Sequence, residues 1–324
     1  MAVHIVRYRA QSSTRWGVVR AGKIHPLAID SPCTADLITD HRTELLASAD
    51  ALASEEPPVA FEDAELLSPV TNPRRVLCQG ANYRQHIIDS GGNPDDHNFN
   101  MFFNKSTAAV CGPRDALVKP SHVKLLDYEV ELALVLAREI RKPVKVTEAT
   151  LFDYVAGICV ANDYSARDVQ IPQMQFFKGK SYRTFCPVGP VLCLLAADEM
   201  HYLADLLLTL RVNGESRQHD TTNNLLFKPA ETLTELSGIS DFDPGDLVLT
   251  GTPSGCALAI PSPALVKVAS VLPERLRWKM FLKTQARRSE YLSAGDVVES
   301  EITSSDGQIQ LGLQRNVVTD ELGR

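Results

Sequence analysis

The stretch "DYEVELALVL", residues 127–136, predicts a strand with apolar side chains on one face and carboxylates on the other. Successive side chains of a strand point to opposite faces. The apolar face carries Tyr128, Val130, Leu132, Leu134 and Leu136. Asp127, Glu129 and Glu131 share the other face, where like charges repel and burial of a carboxylate must be compensated. Either this face is exposed to solvent, or a cation balances its negative charge.

The composition indicates a soluble globular protein. Of the 324 residues, 44% are hydrophobic and 23% are charged, and the net charge of −7 with no basic tail argues against nucleic acid as the main partner. No apolar run approaches the roughly 20 residues of a membrane span. The start of the chain lacks the apolar core of a secretory signal, and the seven cysteines form no CxxC pair. We therefore expect reduced thiols, no membrane partner and a cytoplasmic location.

The order of predicted elements favours an α+β, β-rich fold. A short β meander opens the chain, a helical stretch follows over 34–53, and the proline pair of "SEEPPVA" ends it. We place a domain boundary near 55–70, giving a small N-terminal domain (1–68) and a larger catalytic domain (69–324). Strands are predicted at 128–137, 155–162, 187–195, 207–213, 246–251, 296–303 and 308–313. Helices are predicted at 81–90, 147–153, 198–204, 230–238 and, within an insertion at 257–292, over the basic stretch 265–292.

A second acidic segment points to a metal site. "GICVANDYSARDVQ" brings Asp163 to the end of an apolar strand about thirty residues after Glu129 and Glu131. Three carboxylates without His or Cys suit a hard cation, Mg²⁺ or Mn²⁺, and would leave about three positions for water or a chelating substrate. The alternative is that the two glutamates lie on an exposed strand face. If the cluster is purely acidic, removing one carboxylate relieves repulsion and leaves the fold intact.

Three further segments carry candidate chemistry, and each also has an ordinary structural interpretation. His86 and Asp89 in "CQGANYRQHIIDS" face the same way on a helical turn, so they could activate a water or be a surface pair. Lys180 in "FFKGKSYRTF" could meet an oxyanion or be a loop lysine. "DPGDLVLTGTPSG" presents Thr252 in a glycine-bracketed turn that needs no ligand.

Taken together, these segments resemble the fumarylacetoacetate hydrolase family. The motifs stand in the family's order: "GANYRQH", "FFNKS", "DYEVELALVL", "ANDYSARDVQ", "GKSYRTFCPVGPVL", "VNGESRQ", "PGDLVLTGTPSG" and "GDVVESEI…GLQRNVV". They cover roughly 66–256 and 293–318. The resemblance implies a mixed β-roll catalytic domain, a homodimer, and Mg²⁺ or Mn²⁺ held by Glu129, Glu131 and Asp163. It further implies a water-activating dyad of His86 and Asp89, a catalytic Lys180, and substrate contacts by Gln170 and Thr252.

Two departures from the family pattern stand out. The family more often has Glu where this chain has Asp89, which shortens the reach of the dyad. The chain also continues from "GTPSG" into the basic insertion, which we expect beside the active-site mouth.

The reaction implied first is hydrolytic cleavage of a C–C bond in a β-diketo acid, of the acylpyruvate or fumarylacetoacetate type. The same metal–enolate chemistry supports decarboxylation of oxaloacetate-type acids, and isomerisation or hydration of dienoic diacids from aromatic catabolism. A catalytically inactive metal-binding scaffold is the remaining alternative. In each enzymatic case the partner is a small-molecule oxo acid.

Overall fold

Residues 127–136 supply an inner strand of the largest sheet. In the computed structural model they form β10 (Leu126–Asp127) and β11 (Val130–Leu136), and every residue of β11 is buried. Antiparallel pairing joins β11 to β12 (Val155–Asn162) on one side and to β18 (Leu247–Leu249) on the other. The structure describes residues 2–10, 13–71, 73–89, 92–96, 98–259 and 271–321.

The remaining elements are distributed along the whole chain. The other strands are β1 Val3–Ala10, β2 Ser13–Arg20, β3 Lys23–Pro26, β4 Val59–Ala60, β5 Glu65–Leu67, β6 Val76–Gly80, β7 Met101–Lys105, β8 Val110–Cys111, β9 Leu117–Lys119, β13 Ser165–Ala166, β14 Cys186–Pro187, β15 Val191–Leu194, β16 Leu206–Val212, β17 Glu215–Thr221, β19 Val297–Ser304 and β20 Gln314–Asp320. The α-helices are α1 Thr34–Asp36, α2 Arg42–Ser48, α3 Arg84–Asp89, α4 Arg167–Gln173, α5 Phe176–Lys180, α6 Pro229–Ser237 and α7 Glu274–Gln285. A π-helical turn spans Leu37–His41, and 3₁₀ turns span Ala49–Leu52, Pro94–Asp96, Thr107–Ala109, Glu148–Asp153, Ala197–Ala204 and Thr222–Asn224.

Two sheets and a helical segment form three layers. The large sheet has eleven strands in the order β4-β3-β2-β1-β15-β12-β11-β18-β6-β7, with β5 paired to β1. The second sheet has five strands in the order β17-β16-β19-β20-β9. Strands β11 and β12 of the large sheet contact β16 and β19 of the second sheet. Two further short pairs join β10 with β13 and β14 with β8.

The alternation of β11 distributes its side chains between two cores. Leu132 and Leu134 belong to the core shared with the five-stranded sheet. Ala133 and Val135 belong to the core on the opposite face, which includes Leu37 from the helical segment. Glu131 points to the same side as these two smaller residues, as the period of two requires. The strand therefore presents its large aliphatic groups to one core and leaves room for carboxylates on its other face.

The predicted α+β, β-rich fold class is confirmed, as is the helical stretch over 34–53, which runs as successive helical turns from 34 to 52. One predicted strand, 308–313, is wrong. Those residues follow the turn that closes β19, Gly312 has a left-handed backbone (φ +75°), and the strand β20 begins only at Gln314. Lys180, for which the sequence allows either an oxyanion contact or an ordinary loop position, is the last residue of α5.

The insertion is helical over part of its predicted length. Of the stretch 265–292, residues 274–285 form α7, residues 286–292 do not continue it, and 260–270 lie outside the described residues. The N-terminal strands continue the large sheet, because β1 pairs antiparallel with β15. The division at residue 68 stays a prediction.

Candidate active site

Two neighbouring strands bring the three predicted metal ligands together. Glu131 lies opposite Ala161 in the β11–β12 pair, and Asp163 follows the last residue of β12, its N–H donating to the Glu129 carbonyl at 2.8 Å. One carboxylate oxygen of each of Glu129, Glu131 and Asp163 lies within 4.8 Å of the others. All three side chains are buried. The alternative that the two glutamates lie on an exposed strand face is therefore wrong. Buried together, the three carboxylates require compensating positive charge.

Part of that charge comes from buried cations. Lys180 Nζ donates to Glu129 Oε2 and, at 2.5 Å, to Asp163 Oδ2. Lys105 Nζ donates to Asp163 Oδ1, and Arg167 Nη2 donates to Glu129 Oε1. The cluster is thus a mixed network, and the expectation of a purely repulsive acidic patch is wrong.

The two glutamates differ in their electrostatic surroundings. Burial raises the pKa of Glu131, and the charges of Asp163 and Glu129 raise it further, so its pKa lies well above the usual range. Burial acts in the same direction on Glu129, but the Arg167 and Lys180 cations outweigh it and hold the pKa of Glu129 below its ordinary value. Glu129 is the carboxylate that the network keeps ionised.

The donor set fits a hard divalent cation. It consists of carboxylate oxygens only, the ligand type preferred by Mg²⁺ and Mn²⁺. Glu131 Oε2 accepts the Gly251 N–H at 2.8 Å, whereas Oε1 has no hydrogen-bond partner among the described residues. With Asp127, the site holds one more buried carboxylate than its three buried cations, Lys105, Arg167 and Lys180. A further positive charge is therefore compatible with the cluster.

His86 and Asp89 line a cavity of about 180 Å³ with Ser254, Cys256 and Leu258. His86 is half-buried and Asp89 is exposed. No hydrogen bond joins them in the part of the chain that the structure describes. Asp89 instead accepts from Gln85 Nε2 at 2.8 Å and from Ser254 Oγ. His86 and Asp89 therefore line the same cavity, but Asp89 is hydrogen-bonded to Ser254 in the turn after β18.

Burial lowers the pKa of His86 below its ordinary value. The positive charges of Arg167 and Lys180 lower it as well, whereas the charges of Glu129 and Asp127 oppose them. Neutral imidazole, the form that can accept a proton, is therefore the favoured state near neutral pH.

The two predicted substrate contacts are buried beside the cluster. Gln170 lies on α4, and its Oε1 accepts from Arg167 Nη1 at 2.8 Å. Thr252 Oγ1 donates to the Val130 carbonyl at 3.0 Å and accepts from Gln218 Nε2 at 2.9 Å. Thr252 therefore fixes its turn to β11, and contact of either residue with substrate stays a prediction.

The turn after β18 needs its glycines. Gly251 has φ +93°, and a Cβ there would lie 2.9 Å from Asn82 Cβ. Gly255 has φ +106°, and a Cβ would lie 1.9 Å from the Arg217 carbonyl oxygen. Only glycine permits both the positive φ and the close approach. The Gly251 N–H thereby reaches Glu131, and the turn forms one wall of the cavity.

Sequence reasoning missed Lys105 and Arg167 as partners of the acidic cluster, and it missed the hydrogen bonds that Asp127 accepts. Lys105 stands in the quoted "FFNKS" and Arg167 in "ANDYSARDVQ", but neither spacing indicates which carboxylate it meets. One sequence signal could have found them: several carboxylates buried on one strand face require basic side chains nearby.

Comparisons with known proteins show the family of this chain. The model of the family described as "Fumarylacetoacetate (FAA) hydrolase C-terminal" matches residues 75–319. The chain belongs to the fumarylacetoacetate hydrolase family. The matched range contains every predicted site residue and both strands that carry the acidic cluster.

Several similar proteins are named oxaloacetate tautomerases, and others are named only as fumarylacetoacetate hydrolase domain-containing proteins. The mitochondrial oxaloacetate tautomerase Fahd2a of Rattus norvegicus is 35% identical over 230 residues, which cover 69% of this chain and 70% of that protein. Its human counterpart FAHD2A is 36% identical over 219 residues, covering 67% of this chain and 68% of the relative.

Solved structures share the fold over nearly the whole chain. A structure from Mycobacterium abscessus, described as a probable 2-hydroxyhepta-2,4-diene-1,7-dioate isomerase, has a TM-score of 0.73 and 29% identity, covering 99% of both chains. A fumarylacetoacetate hydrolase from Exiguobacterium antarcticum has a TM-score of 0.73 and 28% identity, covering 98% of this chain and all of that chain. This family member is therefore an α+β enzyme of the superfamily. Among its described helices, none has the length and apolar character needed to cross a membrane.

Proposed function

We propose that this protein catalyses keto–enol tautomerisation of an oxaloacetate-type 2-oxo diacid, with Mg²⁺ or Mn²⁺ as cofactor. Family membership supports the metal–enolate chemistry, and relatives at 35% and 36% identity are named oxaloacetate tautomerases. The relatives' names therefore favour the alternative that the sequence analysis left open, metal–enolate chemistry on oxaloacetate-type acids or dienoic diacids, over hydrolysis of a β-diketo acid.

The hydrogen bond between Asp89 and Ser254 carries this choice. Hydrolysis needs a water made nucleophilic by a base, and the sequence assigned that task to His86 supported by Asp89. Asp89 is instead bound by Ser254 and Gln85, which leaves His86 without a carboxylate partner among the described contacts. Tautomerisation needs only a group that moves one proton to or from carbon, and a lone imidazole can do so.

The residues of the site have separate tasks in this reaction. In the keto-to-enol direction, neutral His86 takes a proton from C3 of the substrate, the 2-oxygen gains negative charge, and that oxygen then takes up a proton to give the enol. In the reverse direction the enol hydroxyl loses its proton and the protonated His86 returns one to C3. Lys180 and Arg167 hold positive charge beside the cluster, which favours that developing charge. A divalent cation held by Glu129, Glu131 and Asp163 would polarise the 2-oxo acid as a Lewis acid.

Isomerisation of a 2-hydroxy dienoic diacid is the second candidate. The similarity to the Mycobacterium abscessus structure, at 29% identity over 99% of both chains, favours it. The chemistry is related, because each reaction converts an enol to a ketone by adding a proton to carbon. The two candidates differ in the length of the diacid that the cavity accepts.

A purified-protein assay separates these reactions. Loss of the ultraviolet absorbance of enol-oxaloacetate is followed with Mg²⁺, with Mn²⁺ and with EDTA, against the uncatalysed rate. Pyruvate formation measures decarboxylation, and parallel assays use an acylpyruvate and a 2-hydroxy dienoic diacid. We expect metal-dependent acceleration of oxaloacetate ketonisation. Acylpyruvate cleavage without that acceleration would contradict the proposal and restore hydrolysis.

We also propose a homodimer located in the cytoplasm, as predicted from the sequence. Light scattering on the eluted protein measures its mass against the 35.6 kDa of one chain. Cell fractionation tests the location, because the named tautomerase relatives are mitochondrial proteins.

A further inference from the structure

Asp127 is a fully buried carboxylate that neither the predicted metal site nor the predicted dyad uses. It shares a strand face with Glu129 and Glu131 but lies in β10, outside the group of carboxylates that converge within 4.8 Å. Burial of an ionised carboxylate is unfavourable unless its oxygens are hydrogen-bonded. Its contacts therefore indicate its role.

Four donors converge on Asp127 and fill its acceptor capacity. Oδ1 accepts the N–H groups of Tyr128 at 2.8 Å and Ala257 at 2.7 Å. Oδ2 accepts the N–H of Leu258 at 3.0 Å and Arg167 Nε at 2.8 Å. A carboxylate offers about four lone-pair sites, so these four bonds leave none for a metal ion. Asp127 is thus a hub for hydrogen bonds rather than a ligand.

The four bonds connect two parts of the candidate site. Leu258 lines the cavity that contains His86, and Ala257 precedes it in the same wall. Arg167, on the other side of the carboxylate, also donates to Glu129 and Gln170. Asp127 therefore fixes the position of the Arg167 guanidinium relative to the cavity wall.

The far side of the wall is held by residues at the end of α7 and just after it. Gln285, the last residue of α7, donates to the Ala259 carbonyl at 2.6 Å, and Arg288 Nε donates to the Ala257 carbonyl at 2.8 Å. The wall segment is thus fixed by Gln285 and Arg288 at the Ala259 and Ala257 carbonyls, and by Gln285 at the Ala259 N–H. Asp127 fixes it at the N–H groups of Ala257 and Leu258. The Asp127 bonds connect this wall to the acidic cluster through Arg167, which also donates to Glu129.

We infer that Asp127 is a positioning residue that aligns Arg167 and the 257–258 wall for binding the planar oxo-acid group of the substrate. The inference rests on the proposed function only in taking a 2-oxo acid as the ligand. Asp127 touches neither substrate nor metal in this scheme, and it acts through Arg167. Its loss should therefore weaken ligand binding more than it lowers the rate of proton transfer.

The test replaces Asp127 with asparagine and uses Asp168→Asn as the matched control. Asparagine keeps the shape but turns one acceptor into a donor, so either Arg167 or the wall loses its bond. Asp168 lies on the same helix as Arg167 and also accepts backbone N–H groups, from Lys124 at 2.8 Å and Leu125 at 3.4 Å. The control removes the same kind of bond away from the cavity.

The probe is oxalate in the presence of Mg²⁺, titrated by calorimetry, because its planar dianion imitates the enolate of a 2-oxo acid. We expect Asp127→Asn to weaken oxalate affinity about tenfold or more, the effect of one lost charge-assisted bond. Asp168→Asn should stay within about twofold of the wild type. In the tautomerase assay, KM should rise while kcat changes less.

An Arg167→Lys background tests the route of action. If Asp127 acts through Arg167, the two substitutions weaken oxalate binding by less than the product of their single effects. Fully multiplicative effects, unchanged oxalate affinity in Asp127→Asn, or no oxalate binding by the wild type would each overturn the inference. If Asp127→Asn does not fold, Asp127→Glu takes its place, and failure of both to fold would make Asp127 a structural residue. A wild type that binds oxalate as expected but does not tautomerise oxaloacetate would refute the proposed function alone.

Discussion

Glutamine substitutions at Glu129 and Glu131 should both abolish metal binding but should affect the stability of the metal-free protein differently. Glu129 accepts from two buried cations, Arg167 and Lys180. Glu131 accepts the N–H of Gly251 and has no cation within salt-bridge distance among the described residues. The two substitutions are chemically identical, so any difference between them reports the surrounding charges.

The magnitudes follow from the partners that remain. Breaking a buried ion pair by removing one partner costs about 3–5 kcal/mol. In Glu129→Gln, Arg167 keeps Asp127 and Lys180 keeps Asp163, so we expect a loss near the lower end, about 3 kcal/mol. Glu131→Gln resembles the protonated acid that its raised pKa favours, and its amide oxygen can still accept from Gly251. We expect its free energy of unfolding to stay within about 1 kcal/mol of the wild type.

Urea unfolding in EDTA, followed by fluorescence, measures the free energy of unfolding, and equal m-values are the condition for comparing variants. Calorimetric titration with Mg²⁺ measures metal binding in the same samples. Glu129→Gln as stable as Glu131→Gln would refute the inferred pairing with Arg167 and Lys180. Unchanged Mg²⁺ affinity in both variants would refute the metal site itself.

The remaining predictions concern the cavity and its mouth. His86→Asn should lower kcat for oxaloacetate tautomerisation by about a hundred- to ten-thousand-fold with Mg²⁺ affinity unchanged. A near-normal kcat would show that another group transfers the proton. Because the pKa of His86 is lowered and its neutral form accepts the proton, the wild-type kcat/KM should fall with decreasing pH only below about 6.5; a fall centred above that value would contradict this. Asp89→Glu lengthens the side chain, so that it can reach His86, and should raise acylpyruvate hydrolysis, measured by pyruvate release. An unchanged rate of hydrolysis would show that residue 89 does not decide between hydrolysis and tautomerisation. Neutralising Arg275, Arg277 and Lys279 on α7 should raise KM for a dianionic substrate and flatten its salt dependence with kcat little changed, and an identical salt response would leave α7 a purely structural helix.

Much of the fold followed from local pattern. The strands at 128–137 and 155–162 were predictable because apolar residues alternate or run continuously there, and burial of such segments requires a sheet. The strand at 308–313 failed because a turn and the left-handed Gly312 displaced β20 to residues 314–320. Helices α4 and α5 were missed because they are short and carry polar residues that pack on the site rather than a regular apolar stripe.

The sequence by itself determined the acidic side of the site. Glu129 and Glu131 share a face because a strand has a period of two, and Asp163 ends the paired strand. His86 and Asp89 share a helix face for the corresponding reason in a helix. Such relations are local, so residue spacing specifies them.

Only the tertiary structure decided which partner each carboxylate has. Lys105 reaches Asp163 across 58 positions of the chain, Ser254 reaches Asp89 across 165, and Ala257 reaches Asp127 across 130. These pairings depend on how the strands and turns pack, and no spacing in the sequence encodes them. They place buried cations against the acidic face. They also join Asp89 to Ser254 instead of His86, because a short side chain binds whatever donor the fold brings within reach.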